Sequence, residues 1–425
     1  RENGHEYYAD ARGGLLYIRT NSGGRNFRLV TAPVWAPRKE NWTELVPHRE
    51  DVMLDDVEVF RDFVALHERE GGLPQIAFLD PATGARRRVP FGEADYDVSP
   101  ERNPEYDQKT FRVTYQSPVT PLSWIDITAQ DLGQQVVKRQ PVPNYDPARY
   151  EVERVWAPAQ DGTKVPIAVL HKKGLAHDGK SALLLYGYGA YGANIPDRFN
   201  SNVFSLVDRG VTTAVAHIRG GGELGKKWHD QGRMMNKMNT FTDFIASAEY
   251  LVAQHYTSKD RLAITGGSAG GLLMGAVTNM RPDLFKVVVT YVPFVDVINT
   301  MLDETLPLTV PEFEEWGNPK KPDEYRYIKQ YSPYDNVAAK AYPIMLVRSS
   351  YNDSQVMYWE PAKYVAKLRA LKTDSNPLLF KINMDPAGHG GMSGRYDRLK
   401  DVAYDYSFLL EQLTVPDGGG RVSLD

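Results

Sequence analysis

A repeat in the first third of the chain, and the place where it stops, constrain the fold more than any other feature. A strand-like run at residues 15–19 recurs at 63–66 and 111–115, and its partners at 28–32, 76–80 and 124–128 keep the same step. Short runs rich in Val, Ile, Phe and Tyr between Gly, Pro, Asn and Asp read as strands. A period of roughly 50 residues with at least two strands per unit fits β-propeller blades, each hiding one face on its neighbour. A closed propeller needs about four to eight blades, whereas three units fit here, so an incomplete ring is expected. The competing reading is an antiparallel sandwich whose loops happen to be of similar length.

The repeat ends at Pro141-Val142-Pro143-Asn144-Tyr145-Asp146-Pro147, whose prolines suit neither a helix interior nor a central strand. Beyond this linker the texture changes. Residues 150–156 and 165–171 form an expected hairpin around Asp161-Gly162. Continuous apolar runs at 182–186, 211–218, 262–265, 287–292 and 344–347 then alternate with helical segments. One such segment, 242–254, sets Phe244, Ala248, Leu251 and Val252 on one face. That alternation argues for a mostly parallel, doubly wound sheet covered by helices. The expected domains are therefore propeller blades over 1–145 and an α/β domain over 146–425.

Composition narrows the functional classes. With 50 Lys+Arg against 54 Asp+Glu, the formal charge of −4 supplies no field for phosphate backbones or acidic lipid. Nucleic acid and membrane surfaces are poor partners for such a chain, and a run such as Arg86-Arg87-Arg88 reads as a solvated face. The absence of Cys removes disulfides, thiolate metal sites and a thiol nucleophile, and fits a reducing cytoplasm. No run approaches the ~18 apolar residues of a membrane span. The opening Arg1-Glu2-Asn3-Gly4-His5 has neither an initiating Met nor a signal-peptide core, so a fragment or processed form is expected, with periplasm or secretion left open.

Gly266-Gly267-Ser268-Ala269-Gly270-Gly271 lies between the apolar run 262–265 and a helix-like run, 272–278. This is the setting of a nucleophile elbow, in which near-absent side chains let strand and helix approach while the serine hydroxyl stays accessible. A hydroxyl needs a base, and in such sheets the order is serine, acid, histidine. Of nine histidines only His389 follows Ser268, in the glycine-rich loop 385–391 just after the strand Leu378–Asn383. Asp353 is the preferred acid because it follows the run 344–347 in a short polar loop; Asp385, four residues from His389, more plausibly shapes the local turn. The backbone N–H of Ala269 is an expected oxyanion donor, with a second from the loop 186–192. That loop contains G-x-G-x-x-G, but no helical pattern starts there and Pro196 intervenes, which argues against dinucleotide binding. Gly220-Gly221-Gly222 lacks the Lys-Ser/Thr of a P-loop.

Taken together these segments resemble the prolyl oligopeptidase family of serine peptidases, and within it the oligopeptidase B branch. The carriers are Tyr186-Gly187-Tyr188-Gly189, Arg219 through Gly225, Gly266 through Gly271, Glu312-Phe313-Glu314-Glu315-Trp316-Gly317-Asn318-Pro319, Tyr331 through Val337, and Gly388-His389-Gly390-Gly391. The resemblance implies an α/β-hydrolase domain under a seven-bladed propeller that limits access to short peptides, with no cofactor and no metal. It implies Ser268 as nucleophile, His389 as general base and then acid, Asp353 as its orienter, and the Tyr188 hydroxyl as an oxyanion donor beside Ala269.

The same resemblance makes Glu312 and Glu314 the carboxylates that bind Arg or Lys before the scissile bond. Without it, a solvated acidic loop paired with Lys320 and Lys321 would be the simpler reading. Prolyl oligopeptidases carry an Arg two places after the acid; here that place is Gln355, which speaks against post-proline cleavage. A second basic subsite is not implied, because Ile195-Pro196-Asp197-Arg198 lacks the acidic pair found there in oligopeptidase B. Family members begin well upstream of Arg1, so an N-terminal portion of the enzyme is an expected partner. The expectation is a serine oligopeptidase acting after Arg or Lys, with post-proline cleavage, or a nicked enzyme inactive without its remaining portion, as alternatives.

Overall fold

The computed structural model describes residues 2–413, which divide into two compact units. The first gathers the residues up to Pro147 with Asn194–Asn200 and Gly222–Trp228. Three four-stranded antiparallel sheets make up its described part. They comprise Tyr7–Arg12, Leu15–Thr20, Arg28–Pro33 and Thr43–Val46; Val52–Val59, Val64–Glu70, Leu73–Leu79 and Arg86–Arg88; and Asp97–Pro100, Thr110–Gln116, Ser123–Thr128 and Gln134–Arg139. In each the strands pair in chain order, so each sheet is a meander. The repeated runs are the second and third strands of every sheet. Gln134–Arg139 escapes the repeat because it is exposed along its whole length, whereas the outer strand Val52–Val59 is packed much like the inner ones.

Apolar side chains from neighbouring sheets close on each other. Phe27, Leu29, Leu54, Leu66 and Leu79 join the first sheet to the second. Between the second and third, Phe60 and Phe78 meet Phe111 edge-on at 5.9 and 5.8 Å. Such aromatic pairs contribute about 0.5–1.5 kcal/mol each beyond burial. The arginine run differs in part from the solvated face expected of it. Arg87 and Arg88 are exposed, but Arg86 joins Arg49 on Glu68, whose side chain is fully buried. A buried carboxylate needs that pairing, because unpaired it would bear the whole desolvation cost.

The second unit is built on eight strands: β1 (Tyr150–Pro158), β2 (Lys164–Lys172), β3 (Leu183–Gly187), β4 (Thr212–Ala216), β5 (Leu262–Gly267), β6 (Val287–Tyr291), β7 (Ile344–Ser350) and β8 (Leu378–Asn383). Their spatial order is β1-β2-β4-β3-β5-β6-β7-β8. The β1–β2 and β2–β4 pairings are antiparallel and all others are parallel. The four longest described helices are α1 (Met238–Ala253), α2 (Ala269–Met280), α3 (Trp359–Leu371) and α4 (Arg395–Gln412). Val287, Val288 and Val289 are all fully buried, which is why β6 reads as an unbroken apolar run rather than an alternation.

Helices α1 and α2 are longer than their sequence patterns. Every residue of α2 from Ala269 to Asn279 is buried. A helix without a polar face shows no amphipathic period, and only its larger apolar residues stand out. In α1 the buried Thr240 and Phe241 extend the packed face ahead of residue 242. The loops that leave β3, β5, β7 and β8 all lie at carboxyl ends of parallel strands, where open α/β sheets place their sites.

Candidate active site

Ser268 sits between β5 and α2 with φ +56° and ψ −119°, a conformation a non-glycine residue adopts only when its surroundings impose it. Those surroundings are hydrogen bonds. Its N–H donates to Tyr291 O at 2.9 Å, and its carbonyl accepts from the N–H groups of Gly271, Leu272 and Phe294 at 2.8–3.1 Å. A Cβ on Gly266 would stand 2.5 Å from the carbonyl oxygen of Gly270, and one on Gly270 2.9 Å from that of Gly187, so strand and helix approach this closely only because both residues are glycine. Ala269, the first residue of α2, has an N–H without an intrahelical acceptor.

Tyr188, one residue beyond β3, shares the wall of one cavity with Ser268. Burial, reinforced by Tyr186 and nearby carboxylates, pushes its phenol up to about 12, so it remains a proton donor throughout the neutral range. On the other side, the buried Asp353 follows β7. Its Oδ1 accepts from the N–H groups of Gln355 and Val356 at 2.8 and 3.0 Å, and its Oδ2 lies 2.7 Å from His389 Nδ1. A carboxylate on Nδ1 leaves Nε2 as the nitrogen available for proton exchange. The histidine loop is tied to the end of β7: Ser350 donates to Ala387 O and Asn352 to Asp385 O at 3.0 Å. The Asp385 backbone closes its own turn, its carbonyl accepting from the Ala387 N–H at 2.6 Å.

The structure thus brings Tyr188 to Ser268 and Asp353 to His389. Among the described residues no hydrogen bond joins Ser268 to His389, and the two line different cavities. Ser268 opens on a cavity of about 230 Å³ with Tyr188, Tyr191, Met301, Leu308 and Glu312 on its walls. His389 borders one of about 400 Å³ with Met392, Arg398 and Asp401.

The acidic segment separates in space. Glu312 lines the serine cavity, half-buried, and its Oε2 accepts from Trp316 Nε1 at 2.6 Å and from Tyr191 Oη at 3.1 Å. Both donors are neutral, and Glu312 has no basic partner among the described residues. Burial raises its carboxyl above the ordinary range despite those donors, and Glu315 adds to the shift. Glu314 is exposed and does not line that cavity. Lys320 bonds Glu304 and Lys321 bonds Glu324, so neither lysine neutralises the pocket. The carboxylate turned inward beside Glu312 is Glu315, which accepts from Tyr191 N at 2.9 Å and pairs with His229 Nε2 at 2.7 Å.

The family is decided by the length of chain that matches. Residues 197–415 match the family described as Prolyl oligopeptidase family, more than half of the sequence. The chain belongs to the prolyl oligopeptidase family. Residues 1–140 match the N-terminal beta-propeller domain of the same enzymes. Dipeptidyl aminopeptidase BI of Pseudoxanthomonas mexicana is 48% identical over 417 residues, covering 98% of this chain and 57% of that protein. Protease 2 of Moraxella lacunata is 43% identical over 401 residues, 94% of this chain and 57% of its own length. Among solved structures, oligopeptidase B from Leishmania major superposes with a TM-score of 0.90 at 42% identity, over 97% of this chain and 59% of that one. Oligopeptidase B from Trypanosoma brucei, closed around covalently bound antipain, gives 0.91 at 39% identity, over 98% and 60%. The chain spans just over half the length of these relatives.

Within this family site, sequence reasoning missed Tyr191, Glu315, Trp316 and Lys237. The first three lie in segments singled out for other residues. Lys237 carried no signal, because nothing in its neighbourhood shows that a lysine there is enclosed.

Proposed function

We propose that this chain is the catalytic part of a serine oligopeptidase that cleaves short peptides after Arg or Lys through an acyl-enzyme on Ser268. Ser268 Oγ attacks the scissile carbonyl as its proton passes to His389 Nε2, while Asp353 holds the imidazole and favours the imidazolium. The carbonyl oxygen becomes an oxyanion held by the Tyr188 hydroxyl and the Ala269 N–H. His389 gives the proton to the leaving amine, and water then attacks the ester by the same route in reverse. The serine–histidine contact is made as substrate binds, since catalytic hydrogen bonds commonly tighten only in the complex.

The observation that carries the preference is Glu312, a half-buried carboxylate on the wall of the serine cavity, held by neutral donors and lacking a cation among the described residues. Apolar walls with one such charge suit a long aliphatic stem ending in a cation. A proline in that position would leave the charge unpaired, which sites built for a polar group reject strongly. Arg or Lys peptides carry the charge that completes it.

The test uses matched fluorogenic peptides ending in Arg, Pro and Ala. Cleavage after Arg that disappears in Ser268→Ala, with Glu312→Gln damaging the Arg peptide far more than the Ala one, is the expected result. Equal loss on both peptides in Glu312→Gln returns that residue to a structural role, and substantial turnover by Ser268→Ala removes the nucleophile assignment. The name of the 48% identical relative, a dipeptidyl aminopeptidase, favours a second mode in which dipeptides are released from a free amino terminus. Blocking the substrate's amino terminus distinguishes the two: an endopeptidase keeps its rate and a dipeptidyl aminopeptidase loses it.

A further inference from the structure

Lys237 immediately precedes α1, and its residue is only 2% exposed. Long charged side chains are almost never enclosed without a partner that needs them. The ammonium donates to the carbonyl oxygen of Gly189 at 2.6 Å, in the loop that carries Tyr188, and sits 4.8 Å from the centre of the Trp316 ring. Trp316 is itself the donor that orients Glu312. Burial lowers Lys237 to about 8, while Glu315 favours its charged form, so the ammonium is protonated at neutral pH.

Glu315 reaches the same loop from the other end. Its residue is 6% exposed, and one carboxylate oxygen receives the Tyr191 N–H while the other receives His229. Tyr191 holds a left-handed φ of +61°, unfavourable for a bulky side chain, and its hydroxyl continues to Glu312. Tyr191 therefore spans two carboxylates, its backbone on one and its phenol on the other. The oxyanion arm is thus tied to the buried Lys237, and the substrate carboxylate to the buried Trp316 and, through the exposed Tyr191, to the buried Glu315.

We infer that Lys237 and Glu315 are positioning residues of this site, the lysine fixing the Tyr188 arm through the Gly189 carbonyl and the glutamate fixing Glu312 through Tyr191. Neither touches the reacting atoms. Their separate attachments predict separate kinetic signatures: loosening the Tyr188 arm affects transition-state stabilisation for every substrate, whereas loosening Tyr191 affects capture of a cation. This assignment rests on the peptidase reading above.

The experiment measures kcat and KM on matched Arg and Ala peptides for Lys237→Met and Glu315→Gln, together with benzamidine affinity as a cation probe that needs no turnover. Lys237→Met removes the donor and keeps an aliphatic stem. It is expected to lower kcat by about 10–100-fold on both peptides, the scale on which displaced catalytic groups act, with benzamidine affinity little changed. Lys237→Arg, which retains a cationic donor, is expected to recover most of that loss, which a packing role alone would not. Glu315→Gln is expected to raise KM for the Arg peptide and weaken benzamidine by about tenfold, leaving kcat on the Ala peptide within about twofold. Wild-type kcat in a folded Lys237→Met enzyme overturns the lysine's role. A Glu315→Gln effect equal on Arg and Ala peptides overturns the glutamate's. Should Lys237→Met not fold, Lys237→Arg and Glu315→Gln decide by the same readouts. Failure of the peptidase reading looks different: the wild-type chain's cleavage would then be indifferent to Ser268→Ala.

Discussion

Two glycine-rich loops serve this site, and they are built in opposite ways. The one after β3 is enclosed: Gly189 is held through its carbonyl by Lys237, and a Cβ placed on it would lie 2.5 Å from Thr240 Cγ2 and 2.8 Å from Ile218. The one after β8 is open: Gly388 and Gly390 have nothing within 4 Å of an added Cβ. Its ties to β7 run through Ser350 and Asn352. The contrast follows the chemistry each loop would perform. A donor aimed at a developing oxyanion is most effective when it needs no reorganisation, whereas a base must exchange its proton with first the serine and then the leaving group.

The largest effect should come from the open side. Asp353→Asn replaces the acceptor that holds His389 Nδ1 and is expected to lower kcat by roughly 10⁴-fold, with KM little changed, in steady-state assays of an Arg peptide. On the enclosed side Tyr188→Phe removes the hydroxyl proposed as an oxyanion donor and is expected to lower kcat by about 10²–10³-fold. If the two losses are equal, the division into a base arm and a donor arm is wrong.

Stability should separate the loops next. Gly189 has φ +71°, so Gly189→Ala combines strain with overpacking and is expected to cost about 1–3 kcal/mol by urea denaturation. Gly390→Ala, in open space, should stay within about 0.5 kcal/mol. A Gly189→Ala protein as stable as the wild type would show that the clamp is loose.

The smallest effect is a pH dependence. Only ionised Glu312 attracts a cation, and burial raises its carboxyl, so cation binding is complete above that raised value and lost as pH falls through it. The ratio of kcat/KM for Arg and Ala peptides, in which the shared proton-transfer steps cancel, should fall by about tenfold per pH unit below it. A ratio flat down to the ordinary carboxylate range would remove Glu312 from substrate recognition.

Much of the molecule was legible before its structure. The repeat located the second and third strands of each sheet because those strands bury one face regularly, while Arg86–Arg88 and Gln134–Arg139 carry no apolar period to detect. The elbow around Ser268 was readable because its constraint is local: strand, tight turn and helix are consecutive. Chain order alone left His389 as the one histidine after Ser268. Glu312 and Glu314 could not be told apart, since they differ by two places and only folding turns one toward the cavity.

What the sequence by itself determined is whatever depends on neighbours along the chain: periodicity, the glycines of the turn, the order of candidate residues and the absence of Cys. Tertiary structure decided the fate of the charges. Glu315 meets the Tyr191 N–H across 124 positions, and Lys237 meets Gly189 across 48. A charge becomes buried, paired or left open for substrate according to which distant segment arrives beside it, because its desolvation cost is offset only by the groups that fill its immediate surroundings.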